Sequence, residues 1–92
     1  MELPAEYLMQ YDVELKPRAR KDLRRIAKAD VAQIVAALND LKNGLQGDVK
    51  RLTNFTPECR LRVGVYRALF EIERPNRIIV YRVRHRRDVY RN

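Results

Sequence analysis

The last third of the chain gathers side chains that can hold and break a phosphodiester. Arg60 and Arg62 stand two apart in CRLRV, and Arg67 follows Tyr66. The closing run YRVRHRRDVYRN then brings Arg82, Arg84, His85, Arg86, Arg87, Asp88 and Tyr90 within twelve residues. A guanidinium stays protonated and grips two phosphate oxygens through parallel hydrogen bonds, where an ammonium acts as a mobile point charge. Arginines two apart on a strand leave the same face about 7 Å apart, near the spacing of successive phosphates in an extended nucleic-acid strand. Arg67 joins them if the strand register allows. His85 is the sole imidazole, the side-chain type suited to proton transfer near neutral pH. With arginines around it, it reads as a base or a hydrogen-bond partner rather than an acid. Tyr90 suits base stacking, proton donation or closure of the core equally well. Asp88 reads as an ion-pair partner for a neighbouring arginine.

The charge balance concentrates this chemistry. The 92 residues carry 20 Lys and Arg against 12 Asp and Glu, a net +8. Residues 1–59 hold 10 basic and 9 acidic side chains, whereas residues 60–92 hold 10 basic, all Arg, and 3 acidic. A patch of this sign attracts polyanions, and each phosphate neutralised on nucleic acid releases a counterion. The same arginines, read plainly, protect an edge strand or form a solvated face. The basic residues alternate with apolar ones, unlike an interfacial helix, and no run of about 18 apolar residues occurs, so no membrane role is expected. One Cys and one His supply too few soft ligands for a structural zinc site, and no cofactor or metal is expected. The lone Cys59 and the absence of a basic, apolar leader point to a reducing cytoplasm. Serine is absent, as are a glycine-rich phosphate loop and a carboxylate cluster in the basic half, so covalent catalysis and two-metal cleavage lack parts. RNA cleavage needs less, because the ribose 2′-hydroxyl is itself the nucleophile and the protein need only align it and stabilise charge on the phosphate.

The elements that must position these groups are legible from periodicity. Residues 1–10 form an extension, and 11–92 form one domain, as the length requires. Tyr11, Val13 and Leu15 alternate with charged residues and predict a strand. Pro17 opens an amphipathic helix with Ala19, Leu23, Ile26 and Ala27 on one side. Asp30 is placed to cap a second helix carrying Val31, Ile34, Val35, Leu38 and Leu41, which Gly44 closes. The stretch 45–58 reads as a loop with Leu52 and Phe55 as anchors. Three strands follow: around Arg60–Val63, after the Gly64 turn across Tyr66–Glu73, and after the turn at 74–77 across Ile78–His85. In the last, Ile79, Tyr81 and Val83 are assigned to one face and Val80, Arg82 and Arg84 to the other. The expected fold class is α+β, ordered β-α-α-β-β-β, with an antiparallel sheet and a two-helix hairpin packed on one side.

The segments C-R-L-R-V-G-V-Y-R-A-L-F-E-I at 59–72 and V-R-H-R-R-D-V-Y-R at 83–91, in that element order, resemble the RelE/ParE superfamily of toxins from type II toxin–antitoxin systems. The resemblance spans about residues 11–91, and the His-Arg-Arg-acid-Val-Tyr ending is typical of the RelE side. It implies a ribosome-dependent mRNA endonuclease, metal-independent, cutting translated mRNA in the ribosomal A site by 2′-hydroxyl attack. It also implies a RelB-like antitoxin with an acidic helical segment and a toxin–antitoxin hetero-oligomer. The catalytic set it implies, joined to the residue reading, is Arg62, Arg67, His85, Arg86 and Tyr90. Arg60, Arg82, Arg84 and Arg87 are assigned to RNA phosphate. Arginine stands where lysine is found at the second-strand positions of known members. Because arginine scarcely deprotonates, His85 or a substrate group would have to serve as base. The shared fold equally accommodates a ParE-like, non-catalytic inhibitor of DNA gyrase, and composition alone accommodates a basic RNA-binding module.

Overall fold

The computed structural model describes residues 9–89. Its elements are β1 (Asp12–Leu15), α1 (Pro17–Arg24), α2 (Lys28–Leu41), β2 (Asp48–Arg51), β3 (Cys59–Val63), β4 (Tyr66–Glu73), β5 (Arg77–His85) and a 3-10 turn, Arg86–Asp88. Five strands form one sheet in the order β1-β5-β4-β3-β2. The α+β class and the helices on a single sheet face agree with the periodicity. Tyr11 and residues of both helices, Ala19, Ile34, Leu38 and Leu41, share one buried cluster with Leu61, Ala68, Phe70, Ile78, Val80 and Val83. Phe70 lies wholly inside it, so its truncation to Ala would cost about 3–5 kcal/mol. α1 rests against β5 and β1, and α2 against β3.

Several expectations need correction. The sheet is mixed rather than antiparallel, because β1 runs parallel to β5, with Val13 opposite Ile78 and Leu15 opposite Val80. A strand followed by two helices can return to the far edge of a meander in that sense. The stretch read as a loop contains β2, which pairs antiparallel with β3 and places Asp48 opposite Arg62. Its sequence, DVKR, has one apolar residue and three exposed polar ones, so no period-two signal marks it. It forms because β3 offers it a row of backbone partners. β3 is therefore an interior strand, and its arginines are not edge protection.

The helix boundaries shift for local reasons. Asp30 sits in the first turn of α2, and Ala27 occupies the N-cap without a side-chain cap bond. Asp30 instead accepts the Tyr66 hydroxyl at 3.5 Å, so its carboxylate is drawn to the sheet. Ala27, expected on the buried side of the first helix, is exposed. Gly44 lies beyond the C-cap Lys42, with φ of 70° and its N–H donating to the Met9 carbonyl at 3.0 Å.

A register shift between Leu69 and Phe70 resets the alternation in β5. Leu69 faces Arg82 but Phe70 faces Val80, leaving Tyr81 as the extra residue. Ile78, Val80 and Val83 consequently all reach the core cluster, and the expected face assignment fails there. A bulge adds one residue on one strand, so the period-two count is offset beyond it. Among the described residues, no helix is long and apolar enough to cross a membrane.

Candidate functional site

The hairpin joining β3 to β4 turns through Gly64 and Val65, with Val63 opposite Tyr66. Gly64 has φ of +58°, which glycine adopts at the first central position of such a turn without a steric cost. This turn fixes the register that matters. Arg62 lies opposite Arg67 on β4, and Arg67 lies opposite Arg84 on β5. Three arginines therefore stand in one row across three adjacent strands, about 4.8 Å apart at the backbone. One step further along, Tyr66 lies opposite His85.

The guanidinium groups divide into two sets. On the β3 side, Arg60 Nη1 donates to the Asp48 carbonyl at 3.2 Å and pairs with its Oδ1 at 3.4 Å. Arg62 lies 4.0 Å from Asp48 Oδ2. Arg67 Nη1 donates to the carbonyls of Gly64 at 2.9 Å and Tyr66 at 2.8 Å. Partial burial lowers the Arg67 pKa from its ordinary value, as do the charges of Arg62, Arg60 and Arg86, while Asp48 opposes the shift. A guanidinium at neutral pH remains charged, so the direction means that burial and like charges together disfavour the Arg67 cation. An anion would relieve it.

On the α1 side the chemistry is inverted. Arg82 Nε and Nη2 fork onto Asp22 Oδ2 and Oδ1 at 2.8 and 3.1 Å, and the Val83 N–H donates to Asp22 Oδ2 at 2.9 Å. β1 pairs only with Arg77–Val80, so the Val83 N–H lies beyond the paired stretch and Asp22 satisfies it in place of a strand. Burial alone would raise the Asp22 pKa. The bonds from Arg82 and Val83 and the charges of Arg82 and Arg84 outweigh burial and hold it below the ordinary value. Arg82 is raised, first by its bond to Asp22. Two of its nitrogens thus serve the fold.

A cleft of about 330 Å3 opens beside this latch, between the end of α1 and the end of β5, and Arg25, Tyr66, Arg84, His85 and Asp88 are among its lining residues. The Tyr66 and His85 rings meet edge to face at 5.9 Å and 76°. His85 Nδ1 accepts from the Arg87 N–H at 3.2 Å and from Arg87 Nε at 3.4 Å. With Nδ1 accepting, the neutral ring carries its proton on Nε2 and presents a donor there.

The structure therefore brings Arg60, Arg62, Arg67 and Arg86 together in one group and Arg82, Arg84, His85 and Arg87 in another, meeting at the Arg67–Arg84 pair. It does not bring all of them to a single pocket. Tyr90 lies outside the described residues. Two residues of the site escaped sequence reasoning. Asp48 is the carboxylate of the first group, hidden in an unrecognised strand, and Arg25 enters the second from α1. The run RRIAK, with two adjacent arginines at the end of a helix, was the available signal for Arg25. Among the described residues, no group of three His, Cys, Asp or Glu side chains could hold a metal ion.

Comparison with known proteins gives a consistent picture. A family model described as the ParE toxin of the type II toxin–antitoxin system parDE matches residues 13–90. The fold is similar to a chain of the RelBE2 toxin–antitoxin complex from Mycobacterium tuberculosis, at 27% identity and TM-score 0.72, covering 84% of this chain and 99% of that one. A chain of the RelB–RelE antitoxin–toxin complex from Methanococcus jannaschii is similar at 26% identity and TM-score 0.68, covering 83% and 93%. The archaeal RelE–RelB complex from Pyrococcus horikoshii OT3 shares the fold at 21% identity and TM-score 0.69, covering 85% and 97%. No curated protein matches the sequence significantly.

Proposed function

The chain belongs to the ParE toxin family of type II toxin–antitoxin systems, within the RelE/ParE superfamily, and from that premise we propose that it arrests growth by cutting messenger RNA on the ribosome. The observation that carries this reading is the row of Arg62, Arg67 and Arg84 across three adjacent strands, in which burial and the charges of Arg62, Arg60 and Arg86 disfavour the Arg67 cation. Such repulsion calls for an anionic partner to relieve it. A surface built for phosphate uses it, because the ligand supplies the missing negative charge.

In this reading the ribose 2′-hydroxyl attacks the adjacent phosphorus, the bond to the 5′-oxygen breaks, the hydroxyl's proton passes through solvent to the departing 5′-oxygen, and charge builds on the two non-bridging oxygens. Arg67, fixed by two backbone carbonyls, stabilises that charge together with Arg62 and Arg86. His85 presents Nε2–H as a hydrogen-bond donor to the charge that builds on the departing 5′-oxygen. Tyr90 and the phosphate contacts of Arg60, Arg84 and Arg87 complete the proposed set, and Arg82 contributes by holding the end of β5. The ribosome aligns the strand, and the cytoplasm is where this encounter takes place. An antitoxin partner is supported by the similar chains, whose structures are complexes with one. An acidic antitoxin segment would neutralise the arginine surface.

The match to the ParE model favours a second reading, inhibition of DNA gyrase without catalysis. Inducible expression with mapping of RNA 5′ ends, with and without translation, separates the two when paired with a supercoiling assay. Cuts within translated mRNA that vanish in Arg67→Ala support the nuclease. Intact mRNA with arrested supercoiling supports gyrase inhibition and rejects it.

A further inference from the structure

We propose that the cleft between α1 and β5 is a nucleotide subsite, taking the residue next to the bond that is cut. The inference rests on reading the arginine row as an RNA-cutting surface and assigns a second ligand contact to it. The cleft measures about 330 Å3, within the range of small-molecule sites but at its small end, enough for one nucleotide. Its walls divide by chemistry. Arg25, exposed at the C-cap of α1, and Arg84 supply cations for a phosphate. The Tyr66 ring supplies a flat apolar surface, held in place by its hydroxyl bond to Asp30 at 3.5 Å and by the edge contact with His85. Ile26 lines the same space. Aromatic faces of this kind stack on bases of any sequence.

Asp22 and Asp88 also line the cleft. Their negative charge disfavours a bare polyphosphate, and Asp22 Oδ1, which among the described residues accepts only the Arg82 Nη2 bond at 3.1 Å, keeps a lone pair for the amino group of a base. The combination therefore fits one phosphate with a base attached. Continuity with the cutting surface follows from the register, since Arg84 lies opposite Arg67. Arg84, which lines the cleft, is thus the residue through which a single strand would pass from one guanidinium set to the other.

The test is a backbone amide NMR titration of the purified chain with guanosine 5′-monophosphate, repeated with inorganic phosphate. The amides of Ile26, Val83 and His85 are expected to shift with the nucleotide, and much less with phosphate at equal concentration. Arg25→Ala should weaken nucleotide binding about tenfold, the loss of one charge-assisted hydrogen bond. Arg25→Glu should abolish it, and Tyr66→Phe, which keeps the ring, should leave it within about twofold. Arg25 is exposed, and unchanged Arg82 and Val83 resonances in the free variant confirm its fold. Shifts confined to Arg62 and Arg67, equal shifts with phosphate, or unchanged affinity in Arg25→Ala would overturn the inference. Cut mRNA in cells without cleft shifts rejects the subsite alone. Cleft shifts without cut mRNA reject the nuclease reading and leave a nucleotide site.

Discussion

Arg67 and Arg82 sit on neighbouring strands two residues out of register, yet one is held in a repulsive field and the other in an attractive one. Arg82 has a carboxylate forked onto it and its charge is stabilised. Arg67 has backbone carbonyls for its hydrogen bonds and three arginines for neighbours, and its charge is opposed. The difference teaches which arginines serve the fold and which wait for a ligand. An arginine with a matched acid adds to stability and has little left for an anionic ligand. One crowded by like charge costs stability in the free protein, and such a cost is typical of functional sites.

The sharpest way to break the comparison is to remove Arg67. Arg67→Ala should lower mRNA cutting by about two to three orders of magnitude, the usual loss when one donor to a developing oxyanion is deleted. Thermal stability should stay level or rise, which a melting curve will read. Asp22→Ala should do the opposite. It leaves Arg82 without its acid and the Val83 N–H without an acceptor, and should cost about 2–3 kcal/mol in denaturant unfolding. If Asp22→Ala melts like wild type, the latch assignment is wrong.

The pH dependence sharpens the same contrast. The Asp22 carboxyl is held below its unfolded value in the native protein, so its stabilisation is complete above the unfolded pKa, about 3.9. It is lost as pH falls through the native pKa, because the native state must then take up the proton it had released. Wild type should therefore show an acid-dependent loss of stability that Asp22→Ala lacks in proportion. A smaller effect is expected at Arg62. Arg62→Ala should reduce the salt dependence of RNA affinity by about one counterion, seen in binding isotherms across salt concentrations. Smallest of all is Arg77, at the other end of β5, which pairs with Glu14 at 3.1 Å and Glu73 at 2.8 Å. These partners are about half exposed, so Arg77→Ala should change stability by at most about 1 kcal/mol and cutting not at all.

Much of this molecule could be read along the chain. Ala19 in α1 and Ile34, Leu38 and Leu41 in α2 fall on the faces that their spacing assigns, and Leu61, Ala68 and Phe70 lie buried in the two strands that the period-two pattern predicts. Local period reports burial wherever one face is apolar. The reading failed where burial is imposed from outside the segment. β2 is polar and short, and exists through its pairing with β3. The β5 alternation breaks at Tyr81 because a bulge against Leu69 and Phe70 shifts the count, and nothing within IIVYRV announces it. Asp30 looked like a cap because aspartate suits that position, but Tyr66 lies close enough to claim it.

The same division holds for the candidate site. Composition and order alone determined that an arginine-only, strongly cationic stretch lies on successive strands with one histidine at its end, since residue type and period are local properties. The tertiary structure alone decided which guanidiniums face one another, that Asp22 from a helix would silence Arg82, and that Asp48 would be the counter-charge for Arg60 and Arg62. Those outcomes depend on distances of a few ångströms between residues far apart in the chain, and Coulomb energies follow distance in space, not separation along the sequence.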